Sequence, residues 1–89
     1  MKEKILNEIN DFVNVCYTMF KIGAGDFAKE NFPKLVENIW DDSKTDEENF
    51  KEVKSLFESN VAINESFGNI ESAKTIRIFM TGWLDKISK

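Results

Sequence analysis

Six carboxylates fall within the stretch ENIWDDSKTDEENF, residues 37–50, which contains a single lysine, Lys44. The acidic residues are Glu37, Asp41, Asp42, Asp46, Glu47 and Glu48. Carboxylates at this density can ligate a hard cation, act as an acid–base pair, or present negative charge to a basic protein surface. Each of these three kinds of chemistry makes its own demands on the rest of the sequence.

A calcium loop of the EF-hand type fits this stretch poorly. Such a loop beginning at Asp41 would take its ligands from Asp41, Ser43, Thr45 and Glu52. Its sixth position requires glycine for a sharp turn, and its eighth position is usually apolar. Asp46 and Glu48 occupy those positions. The chain also has no histidine and one cysteine, which leaves no ligand set for structural zinc. We therefore expect neither a metal nor a cofactor.

Catalysis is not expected either. Without histidine there is no Ser/His/Asp or Cys/His set, and no glycine-rich loop is present to hold phosphate. A glycosidase-like carboxylate pair needs a cleft that holds its substrate, and a small helical domain offers little concavity. The sequence predicts no catalytic residues and a protein that is not an enzyme.

Helix capping explains part of the acidic stretch. Thr45 and Glu48 have the spacing of a capping box, and residues 46–48 would fill the first helical turn, where the helix dipole favours negative charge. Asp41 and Asp42 instead follow the end of the preceding predicted helix, where the dipole disfavours them. Capping does not account for these two residues, so a binding role for them stays open.

Mimicry of nucleic acid is the alternative function. Residues 37–49 carry six acids and one lysine, a net charge of −5, while the whole chain has a net charge of −4. Clustered carboxylates can present phosphate-like charge to a basic cleft. The alternative is therefore a phage-type acidic inhibitor, anti-defence or anti-CRISPR-like, that blocks a nucleic-acid-binding partner through residues 37–48. Direct nucleic-acid binding is not expected, because the lysines alternate with acids and form no basic stripe.

The elements that would position these residues are helices. The 89 residues, 42% of them hydrophobic, predict one domain, 1–89, folded as an all-α compact bundle of about four helices. The first helix is predicted over residues 2–22 and is stopped by Gly23 and Gly25. The second is short or kinked at Pro33. Its two alternatives are a turn at 26–31 followed by a helix at 32–40, and a single helix kinked near Pro33.

The third and fourth helices are predicted over residues 46–67 and 70–87, the latter capped by Asn69. The third should bury one broad face, with Asn60 at its boundary and hydrogen-bonded to solvent. That face comprises Phe50, Val53, Leu56, Phe57, Val61, Ile63 and Phe67. The fourth should bury Ala73, Ile76, Phe79, Met80, Trp83, Leu84 and Ile87.

Two helix edges carry more apolar residues than one core needs. On the fourth helix, Ile78 lies about 200° from Ile76 and beside Gly82, which costs helix stability but lets another backbone approach closely. The apolar arc of the first helix is about 220° wide, with Val15 and Ile22 at one edge of it and Leu6 and Tyr17 at the other. We expect a protein contact through Ile78 and Gly82, or through the edge of the first helix, with a homodimer as the simplest case.

These observations favour a small cytoplasmic protein that acts by binding another protein as a regulatory or interaction module. No apolar run is long enough to span a bilayer, and the N-terminus lacks the apolar segment of a signal peptide. The polar face of the first helix is rich in asparagine rather than lysine, so membrane-surface binding is not expected. Cys16 lies on the apolar face of that helix and is predicted to be part of the core.

Overall fold

The computed structural model describes residues 1–19 and 22–87, except for the side chains at positions 19 and 22–24. In this part of the chain there are four helical rods and no strand. The helices are α1 (Lys2–Met19), α2 (Ile22–Ile39), α3 (Asp46–Ser66) and α4 (Ile70–Phe79), with α4 continued by a π-helical turn (Met80–Leu84) and by α5 (Asp85–Ile87). α1 packs on α2, α3 packs on α4, and α2 also contacts both α3 and α4. The predicted all-α bundle is confirmed.

Four phenylalanines, one from each rod, meet in the centre of the bundle. Their side chains are fully buried, and the ring centroids of contacting pairs lie 5.2 to 5.9 Å apart. The four residues are Phe12, Phe32, Phe57 and Phe79. Aromatic pairs at such distances stabilise a core by about 0.5–1.5 kcal/mol beyond their burial. This cluster fixes which face of each helix points inwards, and therefore which faces remain outside.

α1 buries the face that its periodicity predicts. Ile5, Ile9, Phe12, Val13 and Cys16 are buried, so the core position of Cys16 is confirmed. Burial also raises the pKa of the Cys16 thiol above its ordinary value, because desolvation disfavours the thiolate. α1 is described as far as Met19, and the end predicted at residue 22 is not tested, because residues 20 and 21 lie outside the described residues.

The glycines after α1 do not stop a helix, contrary to the prediction. Gly23 and Gly25 both lie inside α2. A Cβ atom built on Gly25 would lie 2.6 Å from Cε1 of Tyr17, which is too close for two non-bonded carbon atoms. Gly25 therefore makes room for the Tyr17 ring on α2, and the Tyr17 hydroxyl donates a hydrogen bond of 3.0 Å to Oδ1 of Asp26.

α2 is one continuous helix of 18 residues, so the prediction of a short helix after a turn at 26–31 was wrong. Pro33 lies inside it and cannot donate a backbone hydrogen bond to the residue 29 carbonyl. Ala28, Phe32 and Val36 are completely buried on either side of that position. Their packing outweighs one missing backbone bond. The single-helix alternative is correct in extent, and a kink at Pro33 stays a prediction.

α3 begins as predicted but leaves the core near its end. Phe50, Val53, Phe57 and Val61 are buried, as expected. Ile63 and Phe67, also predicted to be buried, are 51% and 78% exposed. At 100° per residue, Ile63 lies about 120° and Phe67 about 80° from the direction of Phe57. Asn64 lies only about 20° away, so a polar residue takes the core-facing position in the last turns.

The fourth rod buries the predicted stripe, with Trp83 half-buried at its edge. Trp83 lies in the π-helical turn and meets Phe12 edge-on, with 4.8 Å between ring centroids. Asn69 occupies the N-cap position of α4, but its side chain makes no capping hydrogen bond. The predicted side-chain cap was therefore wrong, and the turn before α4 is held in another way.

Candidate interaction surfaces

The start of α3 is the capping box that the sequence predicts. The Thr45 backbone N–H donates to Oε1 of Glu48 at 3.2 Å, and the Glu48 backbone N–H donates to Oγ1 of Thr45 at 3.2 Å. The hydrogen bonds from the Thr45 backbone and hydroxyl lower the pKa of Glu48 below its ordinary value. Glu48 is thus engaged in folding its own helix.

Asp41 is held by its neighbour in the loop between α2 and α3. Its Oδ1 accepts hydrogen bonds from the Ser43 hydroxyl at 2.6 Å and from the Ser43 backbone N–H at 2.9 Å. These two bonds, the hydroxyl first, lower the pKa of Asp41. The helix dipole disfavours an acid at this position, and the two hydrogen bonds offset that cost.

The backbone of Asp41 is clamped by Asn49, which the sequence analysis missed. The Asn49 amide donates to the Asp41 carbonyl oxygen at 2.8 Å, and its Oδ1 accepts from the Asp41 backbone N–H at 3.0 Å. Asn49 is only 1% exposed. It lies within about 40° of Val53 on the helix, so its polar side chain on a core-facing position was the available signal. The clamp closes the loop between α2 and α3.

Two more acids of the stretch are tied to the start of the chain. Oε2 of Glu37 lies 2.9 Å from Nζ of Lys2, and Oδ2 of Asp46 lies 3.7 Å from the N-terminal amine. The hydrogen bond to Glu37 raises the pKa of Lys2. Lys44, the lysine of the stretch, pairs with Glu52 at 2.6 Å. These groups are partly or fully exposed to solvent, so each pair contributes little to stability alone.

Asp42 and Glu47 are the remaining predicted acidic residues. Both are exposed, and neither carboxylate makes a hydrogen bond or an ion pair with any residue in 1–19 or 22–87. Within the same ranges, no group of three or more acidic or cysteine side chains is arranged to hold a metal ion. Of the six predicted acids, only these two have a carboxylate without a hydrogen bond or ion pair in the described residues, and the charge of Asp42 still helps to raise the pKa of Lys2.

The predicted apolar surface is divided between two helices. Ile78 is 36% exposed on α4, Gly82 is half-buried in the π-helical turn, and Val15 is half-buried on α1. A Cβ atom on Gly82 would meet no atom within 4 Å, so this glycine faces open space. The side chain of Ile22 lies outside the described residues. These residues do not form the most exposed apolar surface.

That surface is the α3–α4 corner, which we define as Ile63, Phe67 and Ile70. Phe67 is 78% exposed, and Ile63 and Ile70 are 51% and 50% exposed. Ile63 lies in the last turn of α3, Phe67 is the C-cap residue four positions later, and Ile70 is the first residue of α4. Helix periodicity assigned Ile63 and Phe67 to the core, so this surface was not predicted from the sequence.

The turn at this corner is fixed by backbone hydrogen bonds. Gly68 adopts a positive φ of 78°, which an L side chain rarely tolerates. Its N–H donates to the Glu65 carbonyl at 3.1 Å, and the Asn69 N–H donates to the Asn64 carbonyl at 2.7 Å. These two bonds form the Schellman pattern of helix termination. An apolar contact frequently accompanies this pattern between the two positions that Asn64 and Asn69 occupy here. Without that contact, the nearby apolar side chains stay uncovered.

Side chains reinforce the corner from both helices. Arg77 of α4 pairs with Glu65 of α3, with 2.9 Å between Nη2 and Oε1. The Asn64 amide donates to the Asn60 carbonyl at 2.7 Å, and the Asn60 amide donates to the Leu56 carbonyl at 2.9 Å. Asn60 is half-buried at the boundary, as predicted, but it bonds to its own helix rather than to solvent alone.

Comparisons with known proteins do not identify a function for these surfaces. No protein-family model matches the chain, and searches of curated proteins and of solved structures found no match. Among the described helices, none combines the length and the apolar character needed to cross a bilayer.

A surface groove lies beside α3. It lies between the end of α2 and the outer side of α3, with a volume of about 730 Å³. It is lined by the apolar Ile39 and Leu56, the small residues Ser55 and Ser59, the acids Glu48 and Glu52, and Lys51. Its charged residues, two acids and one lysine, all come from the N-terminal third of α3, and they leave the lining with a net charge of −1.

Proposed function

We propose that this protein is non-enzymatic and acts by binding another protein, with the α3–α4 corner as its anchor. The observation that carries the proposal is Phe67, which is 78% exposed on a turn fixed by backbone hydrogen bonds. Aromatic side chains are enriched at protein interfaces, and a few such anchors contribute most of the binding energy. A cytoplasmic location remains part of the proposal.

The energetics support a partner at this position. Burying a side chain such as Phe or Ile contributes about 1.5–3 kcal/mol relative to its exposure. Ile63, Phe67 and Ile70 leave much of that contribution unused in the isolated chain. The backbone of the Gly68 turn is already held by hydrogen bonds, so little of the binding free energy would be lost in ordering it.

The acidic alternative has weaker support from the same structure. Glu37, Asp41, Asp46 and Glu48 have partners within the chain, and Asp42 and Glu47 do not. An inhibitor that imitates nucleic acid through residues 37–48 stays a prediction. In our proposal these acids steer a basic partner, and the apolar corner holds it.

Capture from a lysate of the source cells tests the proposal. Tagged wild type is compared with Phe67→Ser and with Ile78→Ser, which also removes an exposed apolar side chain but lies on α4. We expect Phe67→Ser to lose the partner that wild type and Ile78→Ser retain. Thermal melting of all three confirms that each is folded.

The reverse pattern would contradict the proposal. If Ile78→Ser loses the partner and Phe67→Ser keeps it, the surface expected from the sequence, around Ile78 and Gly82, is the correct one. Equal capture by all three folded proteins would remove both surfaces.

A further inference from the structure

The exposed apolar residues of α3 form one stripe along its outer side. At 100° per residue, Leu56, Ile63 and Phe67 point within about 40° of one another. Leu56 is half-buried in the groove beside Ile39, and Ile63 and Phe67 continue the stripe to the corner. Ser55 and Ser59 beside it are exposed and small, which leaves the groove open along the helix. The apolar surface is thus longer than the corner itself.

The corner alone is too small for a specific complex. A buried aromatic side chain contributes about 150–250 Å², whereas a specific interface takes about 800 Å² from each partner. α3 has 21 residues and is therefore about 31 Å long. A contact that follows α3 from the groove to the corner covers more surface than the corner alone. Residues spaced by seven and four positions along one stripe suit a helix packed lengthwise.

Charge is distributed unequally along this face. Residues 37–49, which join α2 to α3 and which we call the acidic junction, have six acids and one lysine. The C-terminal end of α3 leads instead into the apolar corner. A second copy of the chain fits badly in both directions. Parallel copies would place like charges together, and antiparallel copies would place acids against the apolar corner. A complementary partner is apolar over the corner and basic over the α2–α3 junction.

We infer that the outer side of α3 receives a basic amphipathic helix from a partner protein. Its apolar residues cover Leu56, Ile63 and Phe67, and its lysine or arginine residues lie near the acidic junction. This inference rests on the proposed function, because it takes the corner as the anchor and adds the shape and charge of what binds there.

The first test uses a designed helical peptide of about 21 residues, the length of α3. It carries leucines at coiled-coil spacing and lysines towards one end, and a matched peptide has glutamate in place of each lysine. Fluorescence anisotropy measures binding to the full chain at low and high salt. We expect micromolar binding of the lysine peptide and at least about tenfold weaker binding of the glutamate peptide at low salt. High salt should reduce that difference, because it screens exposed charges.

The second test blocks the groove. Ser59→Arg places a long cationic side chain on the outer side of α3, and Asn7→Arg adds the same charge on exposed α1. We expect Ser59→Arg to weaken binding of the lysine peptide at least about tenfold and Asn7→Arg to leave it within about twofold. Melting temperatures of both variants should stay close to that of wild type.

Three results would overturn the inference: no binding of the lysine peptide, equal binding of both peptides, or equal binding by Ser59→Arg and wild type. Self-association of wild type that Ser59→Arg abolishes would overturn it too, since the occupant would be a second copy. Failure here is distinct from failure of the proposed function. If Phe67→Ser loses the cellular partner but Ser59→Arg keeps it, the corner binds a partner without a docked helix.

Discussion

The chain turns between α2 and α3 and again between α3 and α4, and the two turns use their side chains in opposite ways. At the first turn, Asp41 and Glu48 accept hydrogen bonds from residues three or fewer positions away. At the second, Phe67 and Ile70 are exposed although the backbone beneath them is fixed. The acidic turn resembles a binding site in sequence, but much of it holds its own fold.

The difference follows from what each kind of side chain needs. A carboxylate beside a helix start finds backbone N–H groups within its own loop, so its presence can be explained locally. An apolar side chain is satisfied only by burial, which depends on distant elements. An exposed phenylalanine on an ordered turn is therefore a stronger sign of a partner than a cluster of acids.

Two phenylalanines, one within α3 and one at its C-cap, give the largest expected contrast. Phe57 is fully buried among the rings of the core, and Phe67 is 78% exposed. Phe57→Ala should lower the free energy of unfolding by about 3–5 kcal/mol. Phe67→Ala should change it by no more than about 0.5 kcal/mol. Urea titration of both variants measures the contrast, and a large loss from Phe67→Ala would show that the corner is covered within the chain.

The Asn49 clamp gives the next largest effect. Asn49→Ala removes both hydrogen bonds to the Asp41 backbone and should cost about 1–3 kcal/mol of unfolding free energy. Asn38→Ala, an exposed asparagine on α2, is the matched control and should have almost no effect. If the two variants unfold at the same urea concentration, the junction is not held by Asn49.

The capping box should contribute less. Thr45→Ala removes the acceptor for the Glu48 backbone N–H and should lower the free energy of unfolding by about 1 kcal/mol. Glu48→Gln is the milder change, because an amide oxygen still accepts from the Thr45 N–H. Chemical denaturation should show a larger loss of stability for Thr45→Ala than for Glu48→Gln. A Thr45→Ala protein as stable as wild type would place the start of α3 elsewhere.

Acid gives the smallest predicted change. The folded-state pKa values of Asp41 and Glu48 lie below their ordinary values of 3.8 and 4.5, because both carboxylates accept hydrogen bonds. Their stabilisation is thus present above the ordinary values and is lost as the pH falls through the lowered folded-state values. Melting temperatures between pH 6 and pH 2 should fall less for the double variant Asp41→Asn with Glu48→Gln than for wild type. Parallel curves would remove these two groups from the acid response.

Local patterns predicted well what depends on neighbouring residues. The capping box of Thr45 and Glu48, the burial of Cys16 and the core stripe of the fourth rod follow from spacing alone, and the structure confirms them. The errors involve tertiary contacts. Pro33 stays inside α2 because its neighbours are packed, and Gly25 serves a contact with Tyr17 that no local signal reveals.

The same limit applies to the candidate surfaces. Ile63 and Phe67 belong to a broad apolar arc, and a broad arc does not show which edge the bundle covers. Asn49 was readable in principle as a polar residue on a core-facing position, but its partner is a backbone group eight residues earlier. Helix periodicity gives the direction of a side chain, and only the packed structure shows what it meets.

One measurement tests the central claim most directly: partner capture by Phe67→Ser and by Asp42→Lys with Glu47→Lys, at low and high salt. Asp42 and Glu47 are chosen because their carboxylates have no hydrogen bond or ion pair in the described chain, so reversing their charge breaks no such contact there, and thermal melting checks that the variant is folded. We predict that Phe67→Ser loses the partner at both salt concentrations. The charge-reversed protein should lose it only in part, and only at low salt, because exposed charges are screened. Full capture by Phe67→Ser together with complete loss in the charge-reversed protein would contradict the account and identify the acidic junction as the binding site.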